Sequence, residues 1–216
     1  MDYLLKRRLL HLFFPTRCPV CGGLIGAQER FCPACRDRLS PYRGSFSVRG
    51  ALSFTAAFDY DDNIKPAIYL LKNGTDGNAS YALGAELADR LRAGDISADV
   101  IVPVPMMRRD ILRRGFNQAE LIAKELSRIL GIPVEGGALI KERRTSAQKE
   151  LSQEERQLNL KGAFRCVSDV LREKKVLLVD DICTTGSTLS ELTDVIMKSG
   201  AASVSCACCC KTSARK

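Results

Sequence analysis

The chain has 216 residues, 45% of them hydrophobic and 27% charged, enough for one ordinary domain plus a small appendage. That balance excludes a disordered polyelectrolyte, and no apolar run approaches the roughly 20 residues that cross a bilayer. The net charge of +8 attracts polyanions, whether nucleic acid, phosphorylated metabolites or anionic membrane, without choosing among them.

Basic residues open the chain, and Leu9-Leu10-His11-Leu12-Phe13-Phe14 follows. The apolar stretch is short, and Pro15-Thr16-Arg17-Cys18 supplies no small-x-small cleavage site. Residues 1–14 therefore read as an amphipathic helix packed on the body of a cytoplasmic protein. Ten cysteines in such a protein read as metal ligands and buried thiols rather than disulfides.

Cys18-Pro-Val-Cys21 and Cys32-Pro-Ala-Cys35 are two C-x-x-C knuckles ten residues apart. Four thiolates favour tetrahedral Zn²⁺ and leave no open position, which predicts a structural site formed by Cys18, Cys21, Cys32 and Cys35. Gly22 and Gly23 suit the turn after the first knuckle. A module of this size gains its folding energy from the metal. The polar stretch from Arg36 to Gly50 reads as a linker, dividing the chain into a helix and zinc-ribbon module (1–45) and a larger domain (46–216).

Strands and helices then alternate. Strands are predicted at Ala51–Phe58, Asp99–Pro105, Gly137–Ile140, Ala163–Val167, Val176–Val179 and Ala202–Cys209. Helices are predicted at Ile64–Leu71, Tyr81–Arg92, Asn117–Leu130 and Leu189–Lys198, with Asn117 suited to N-capping. The pattern implies an α/β domain with a mostly parallel sheet. Alternation along the last strand predicts buried Cys206, Cys208 and Cys210 on one face and Cys209 on the other.

Three stretches carry chemistry. Ile101-Val-Pro-Val-Pro105 ends in a stiff loop, followed by Arg108, Arg109, Arg113 and Arg114, which suit a diphosphate. Lys141 to Gly162 is long, polar and basic, as a lid would be, and contains Arg143, Gln148 and Arg156. In Val176-Leu-Leu-Val-Asp-Asp-Ile-Cys-Thr-Thr-Gly-Ser-Thr188 an apolar strand runs into paired carboxylates, a hydroxyl-rich loop and a helix start. Such a helix start binds a phosphate, and the carboxylates accept from hydroxyls or hold Mg²⁺. Thr188 and Glu191 also fit a capping box.

Asp180 to Thr188 resembles the 5-phosphoribosyl-1-pyrophosphate (PRPP) motif of type I phosphoribosyltransferases. The ordered set of Cys18 to Cys35, Val102 to Gln118, Gln148 to Asn159 and Val179 to Gly186 resembles the ComF family over nearly the whole chain. That resemblance implies a type I phosphoribosyltransferase-like fold with an N-terminal Cys₄ zinc ribbon, and a link to DNA uptake and competence in some bacteria. It implies ribose contacts from Asp180 and Asp181, and a phosphate loop of Thr184, Thr185, Gly186, Ser187 and Thr188. Pyrophosphate would face Arg108, Arg109 and Arg114, with Lys72 matching a recurring Leu-Lys. Arg143, Gln148 and Arg156 would belong to a flexible loop. Zn²⁺ would be structural, and Mg²⁺ would accompany PRPP.

Function stays open between a PRPP-using transferase, a non-catalytic PRPP sensor or adaptor, and an accessory factor holding single-stranded DNA or competence-machinery proteins. The basic runs lack interleaved aromatic rings apart from Phe116, and the chain has no Trp, which disfavours a role in DNA binding alone.

Overall fold

The computed structural model describes residues 3–74, 77–143 and 160–213. In chain order the helices and strands are α1 (Tyr3–Phe13), α2 (Pro33–Arg36), β1 (Ser53–Asp59), α3 (Lys65–Asn73), α4 (Gly77–Ala93) and β2 (Val100–Pro103). Then follow α5 (Arg108–Arg114), α6 (Gln118–Leu130), β3 (Leu139–Lys141), β4 (Phe164–Cys166), β5 (Lys175–Cys183), α7 (Ser187–Lys198) and β6 (Ser203–Lys211). β1, β6, β5 and β2 form a parallel sheet in that spatial order. β3 and β4 pair antiparallel as a separate ribbon.

Burial on both faces explains why the strands read as continuous apolar runs. In β5, Leu177 and Val179 join one core cluster with Ile68, Leu87 and Ile122 of the helices α3, α4 and α6. Val176 and Leu178 join the other, with Leu189, Leu192 and Ile196 of α7. The period of two places neighbours on opposite faces. Cys206 and Cys208 follow it toward α7, and Cys209 faces the other side. Cys210 departs from the expected alternation: at the strand's exit it packs in the cluster with Cys209. All four thiols are at most 1% exposed.

The N-terminal module is welded to the body. Ile25, Phe31 and Leu39 share the core cluster of α4. Arg30 and Arg36 both reach Glu86 on α4, at 3.1 and 2.8 Å. The stretch read as a linker is structured: Tyr42 N donates to Ala57 O, and the Phe46 and Phe54 rings meet edge-on at 5.0 Å. α1 docks as expected, but through polar groups, since none of its residues is fully buried.

Candidate ligand cleft and metal centre

The carboxyl ends of parallel strands, where helix N-termini and loops converge, are where such folds bind ligands. β5 here runs to Cys183, longer than its apolar segment, so Asp180 and Asp181 are still on the strand as it leaves the core. Both are half-buried. Burial and the adjacent Asp181 charge raise the Asp180 carboxyl well above the usual range, against the Asp181 N–H that donates to its Oδ1 at 2.8 Å. Asp181 Oδ1 accepts from Ile182 N (2.8 Å), and its Oδ2 lies 3.4 Å from Lys72 Nζ.

On one side of this pair lies a cavity of about 270 Å³. Asp180, Asp181, Lys72, Arg114, Asp110 and Lys141 line it, together with the Val104-Pro105-Met106-Met107 turn. Asn117 locks that turn: its Nδ2 donates to Val104 O (2.9 Å), while its Oδ1 caps α6 by accepting from Ala119 N (3.1 Å). The capping role read from sequence and a positioning role thus fall on one side chain. Lys72 arrives at the end of α3, where Gly74 turns the chain at φ +66° beneath Phe116; a Cβ there would lie 2.2 Å from the ring. Burial lowers the Lys141 amine from its ordinary value, with Asp110 and Asp180 pulling it back up.

On the other side is a notch of about 20 Å³ formed by Asp180 and residues 182–189. Gly186, at φ +79°, turns the chain into α7 and is its N-cap. The expected capping box is not formed, because the helix starts before Thr188 and Glu191 instead accepts from Gly162 N at 3.0 Å. Thr185 Oγ1 lies 2.9 Å from Ser187 Oγ, so the two hydroxyls brace the turn. A third cavity of about 740 Å³ opens beyond Thr184 and Thr185, with Tyr42, Phe46, Asp59 and Lys211 in its wall. Lys211 Nζ donates to Thr184 O (2.8 Å) and sits 4.3 Å from the Phe46 ring centroid. Beneath the loop, a hydrogen bond from Cys208 lowers the Cys183 thiol, opposed by burial and helped by Lys211 and the Gly186 N–H.

The structure thus brings together Lys72, Arg114, Asp180 and Asp181 around one cavity, and Asp180 with Thr184, Thr185, Gly186, Ser187 and Thr188 around the next. Arg108 and Arg109 are exposed on the first turn of α5, a helix not predicted from the sequence, and do not line the cavity. Arg143 donates to Lys161 O (2.9 Å) at the edge of the β3–β4 ribbon. Gln148 and Arg156 lie outside the described residues. Asp110, Lys211 and Phe46 carry no signal of a site in the sequence, whereas Lys141 opens the long basic stretch and is brought to the cavity wall.

In the N-terminal module the four Sγ atoms of Cys18, Cys21, Cys32 and Cys35 lie within 4.8 Å of one another. Cys21 and Cys32 Sγ are 3.7 Å apart, close to the edge of about 3.8 Å that Zn–S bonds of about 2.3 Å give a tetrahedron. Gly22, at φ +75°, closes the first knuckle, and its N–H donates to Cys18 O at 2.8 Å. None of the ten cysteines forms a disulfide. Although burial opposes it, N–H groups of Cys32, Cys21 and Val20 bring the Cys18 thiol down to about 7. The four thiolates fit structural zinc and fill its tetrahedron, leaving no open position for a substrate.

A parallel sheet whose central strand ends in an acidic pair, a Gly-turn and a helix start belongs to the phosphoribosyl transferase class, and the phosphoribosyl transferase domain family matches residues 72–216. A double zinc ribbon domain matches residues 9–56. The chain is 33% identical to the DNA utilization protein YhgH of Escherichia coli, over 91% of this chain and 85% of that one. It is 38% identical to Competence protein F of Haemophilus influenzae, over 87% of this chain and 93% of that one. Among solved structures, a purine phosphoribosyltransferase from Pyrococcus horikoshii has 25% identity and a TM-score of 0.40, covering 63% of this chain and 77% of its own. The chain belongs to the ComF family, pairing a zinc ribbon with a phosphoribosyl transferase domain.

Proposed function

We propose that the cleft binds PRPP and that the protein is a phosphoribosyltransferase-like factor in DNA uptake or use. One observation carries this reading. Asp180 lines two cavities at once, a cation-rich one holding Lys72, Arg114 and Lys141, and the hydroxyl-rich notch at the start of α7. A ligand with a diphosphate at one end, a phosphate at the other and a vicinal diol between them fits that order. Asp180 and Asp181 accept from the ribose hydroxyls, the Thr184–Thr188 loop holds the 5′-phosphate, and Lys72, Arg114 and Lys141 face the diphosphate. Arg108 and Arg109 supply cations from outside the wall. Among the described residues the only cluster of three or more metal-type ligands is the cysteine set, so Mg²⁺ would arrive with diphosphate oxygens completing its shell and would neutralise them.

The chain's own work is positioning and charge stabilisation, since attack at the ribose C1 needs no side-chain nucleophile. The names of the relatives, DNA utilization and competence proteins, support a setting in DNA handling. Isothermal titration with PRPP and Mg²⁺ tests the reading. Asp180→Asn/Asp181→Asn is expected to weaken binding at least tenfold, equal to about 1.4 kcal/mol. Unchanged affinity would sink the assignment.

A further inference from the structure

Helix α1 meets the body with its polar side. Tyr3 Oη donates to Glu125 Oε1 (2.9 Å), and Arg7 donates to Ala27 O (3.0 Å) and Asn78 Oδ1 (2.8 Å) while stacking 3.7 Å over Tyr81. One turn on, His11 Nδ1 is 2.9 Å from Thr16 Oγ1. At about 100° per residue these three side chains share one face, and the opposite face carries Leu5, Leu9, Leu12 and Phe13. Those four are 48%, 46%, 74% and 79% exposed. Single exposed leucines are ordinary; a contiguous stripe on one helix is not. Lys6 and Arg8 flank the stripe, and the helix contains no acidic residue.

We propose that α1 is a lipid-surface element, lying in the headgroup layer of an anionic bilayer. Leu5, Leu9, Leu12 and Phe13 enter the acyl boundary, and Lys6 and Arg8 meet lipid phosphates. A second copy of the chain fits worse, because it would face these cations with its own and bring no carboxylate from the helix. Spanning is excluded for this element. Its 11 residues rise about 16 Å, roughly half a hydrocarbon core, and no helix among the described residues is long and apolar enough to cross.

The test is flotation of the full zinc-loaded chain with vesicles of phosphatidylglycerol and phosphatidylcholine, against vesicles of phosphatidylcholine alone. Because the chain contains no Trp, Phe13→Trp gives a single reporter whose emission shifts blue on insertion. Partition into anionic vesicles is expected to exceed that into neutral ones by about tenfold or more. Leu9→Glu is expected to lower it at least about tenfold without changing the circular dichroism, because Leu9 faces away from the body. Lys6→Gln/Arg8→Gln is expected to erase the preference for anionic lipid. Absence of partition and of a blue shift in the otherwise native Phe13→Trp chain overturns the proposal, as does equal partition of Leu9→Glu. A lipid-independent dimer abolished by Leu9→Glu also overturns it and assigns the stripe to a second copy.

Discussion

Gly186→Ala tests the turn into α7 at its tightest point. Gly186 sits at φ +79°, where an L side chain costs about 1–2 kcal/mol. A Cβ there would lie 2.8 Å from Phe46 Cζ and 3.1 Å from Cε1, well inside the ordinary carbon contact of about 3.5–4.0 Å. The ring is held edge-on against Phe54 and beneath Lys211 Nζ, and a retreat into the cavity it borders would give up both contacts. Overpacking of this kind costs roughly 1–3 kcal/mol, which with the backbone strain makes about 2–5 kcal/mol. For a chain of this length that is a fall in Tm of roughly 4–20 °C, read by calorimetry and urea titration with the zinc retained. Gly186→Ala/Phe46→Ala removes the clash and keeps the strain, so the two changes should couple by about 1 kcal/mol or more. A loss below about 0.5 kcal/mol in the single variant would refute both the left-handed turn and the ring above it. In the proposed reading, Gly186→Ala also weakens PRPP, because the α7 N–H groups no longer point into the notch.

Asp180→Asn should trade stability against ligand. The folded carboxyl titrates above its unfolded value of about 3.9, so the native state binds the proton more tightly. The stability linked to that proton is full below about pH 3.9 and is lost as pH rises through the folded value. Asparagine suffers no such loss, so the variant should melt higher than wild type at pH 8 and level with it near about pH 3.5; a lower Tm at pH 8 would refute the raised carboxyl. Cys35→Ser removes a ligand that is 1% exposed and should take metal content from about one zinc per chain toward zero, as a chelator does to the wild type. A variant that keeps its zinc and its Tm would mean that the four thiols are not the ligand set.

Much of the fold was legible because it rests on local chemistry. The apolar run Val176–Val179 could only be a strand covered on both sides, and the knuckle spacing at Cys18–Cys35 brings four sulfurs together whatever the rest of the chain does. Asn117 announced the start of α6 in its own side chain. What failed was geometry set by distant neighbours. The helix start was placed at Thr188 because a capping box is a local pattern, whereas Gly186, turned under Phe46 from a stretch read as linker, starts the helix earlier. α5 is absent from the helices predicted in sequence because short helices depend on what they pack against.

The site divides in the same way. The sequence by itself determined the ligand-binding vocabulary: the paired aspartates, the hydroxyl loop and the four cysteines are contiguous or regularly spaced, and their chemistry follows from residue type. Only the tertiary structure decided that Asp180 stands between two cavities, that Lys72 and Lys141 come from separate elements to one of them, and that Lys211 braces the loop from the last strand. It also decided that α1 presents its leucines outward, because Tyr3 and Arg7 find their partners on α4 and α6. Convergence of residues far apart in the chain depends on strand order and on which face each helix covers, and no local pattern encodes either.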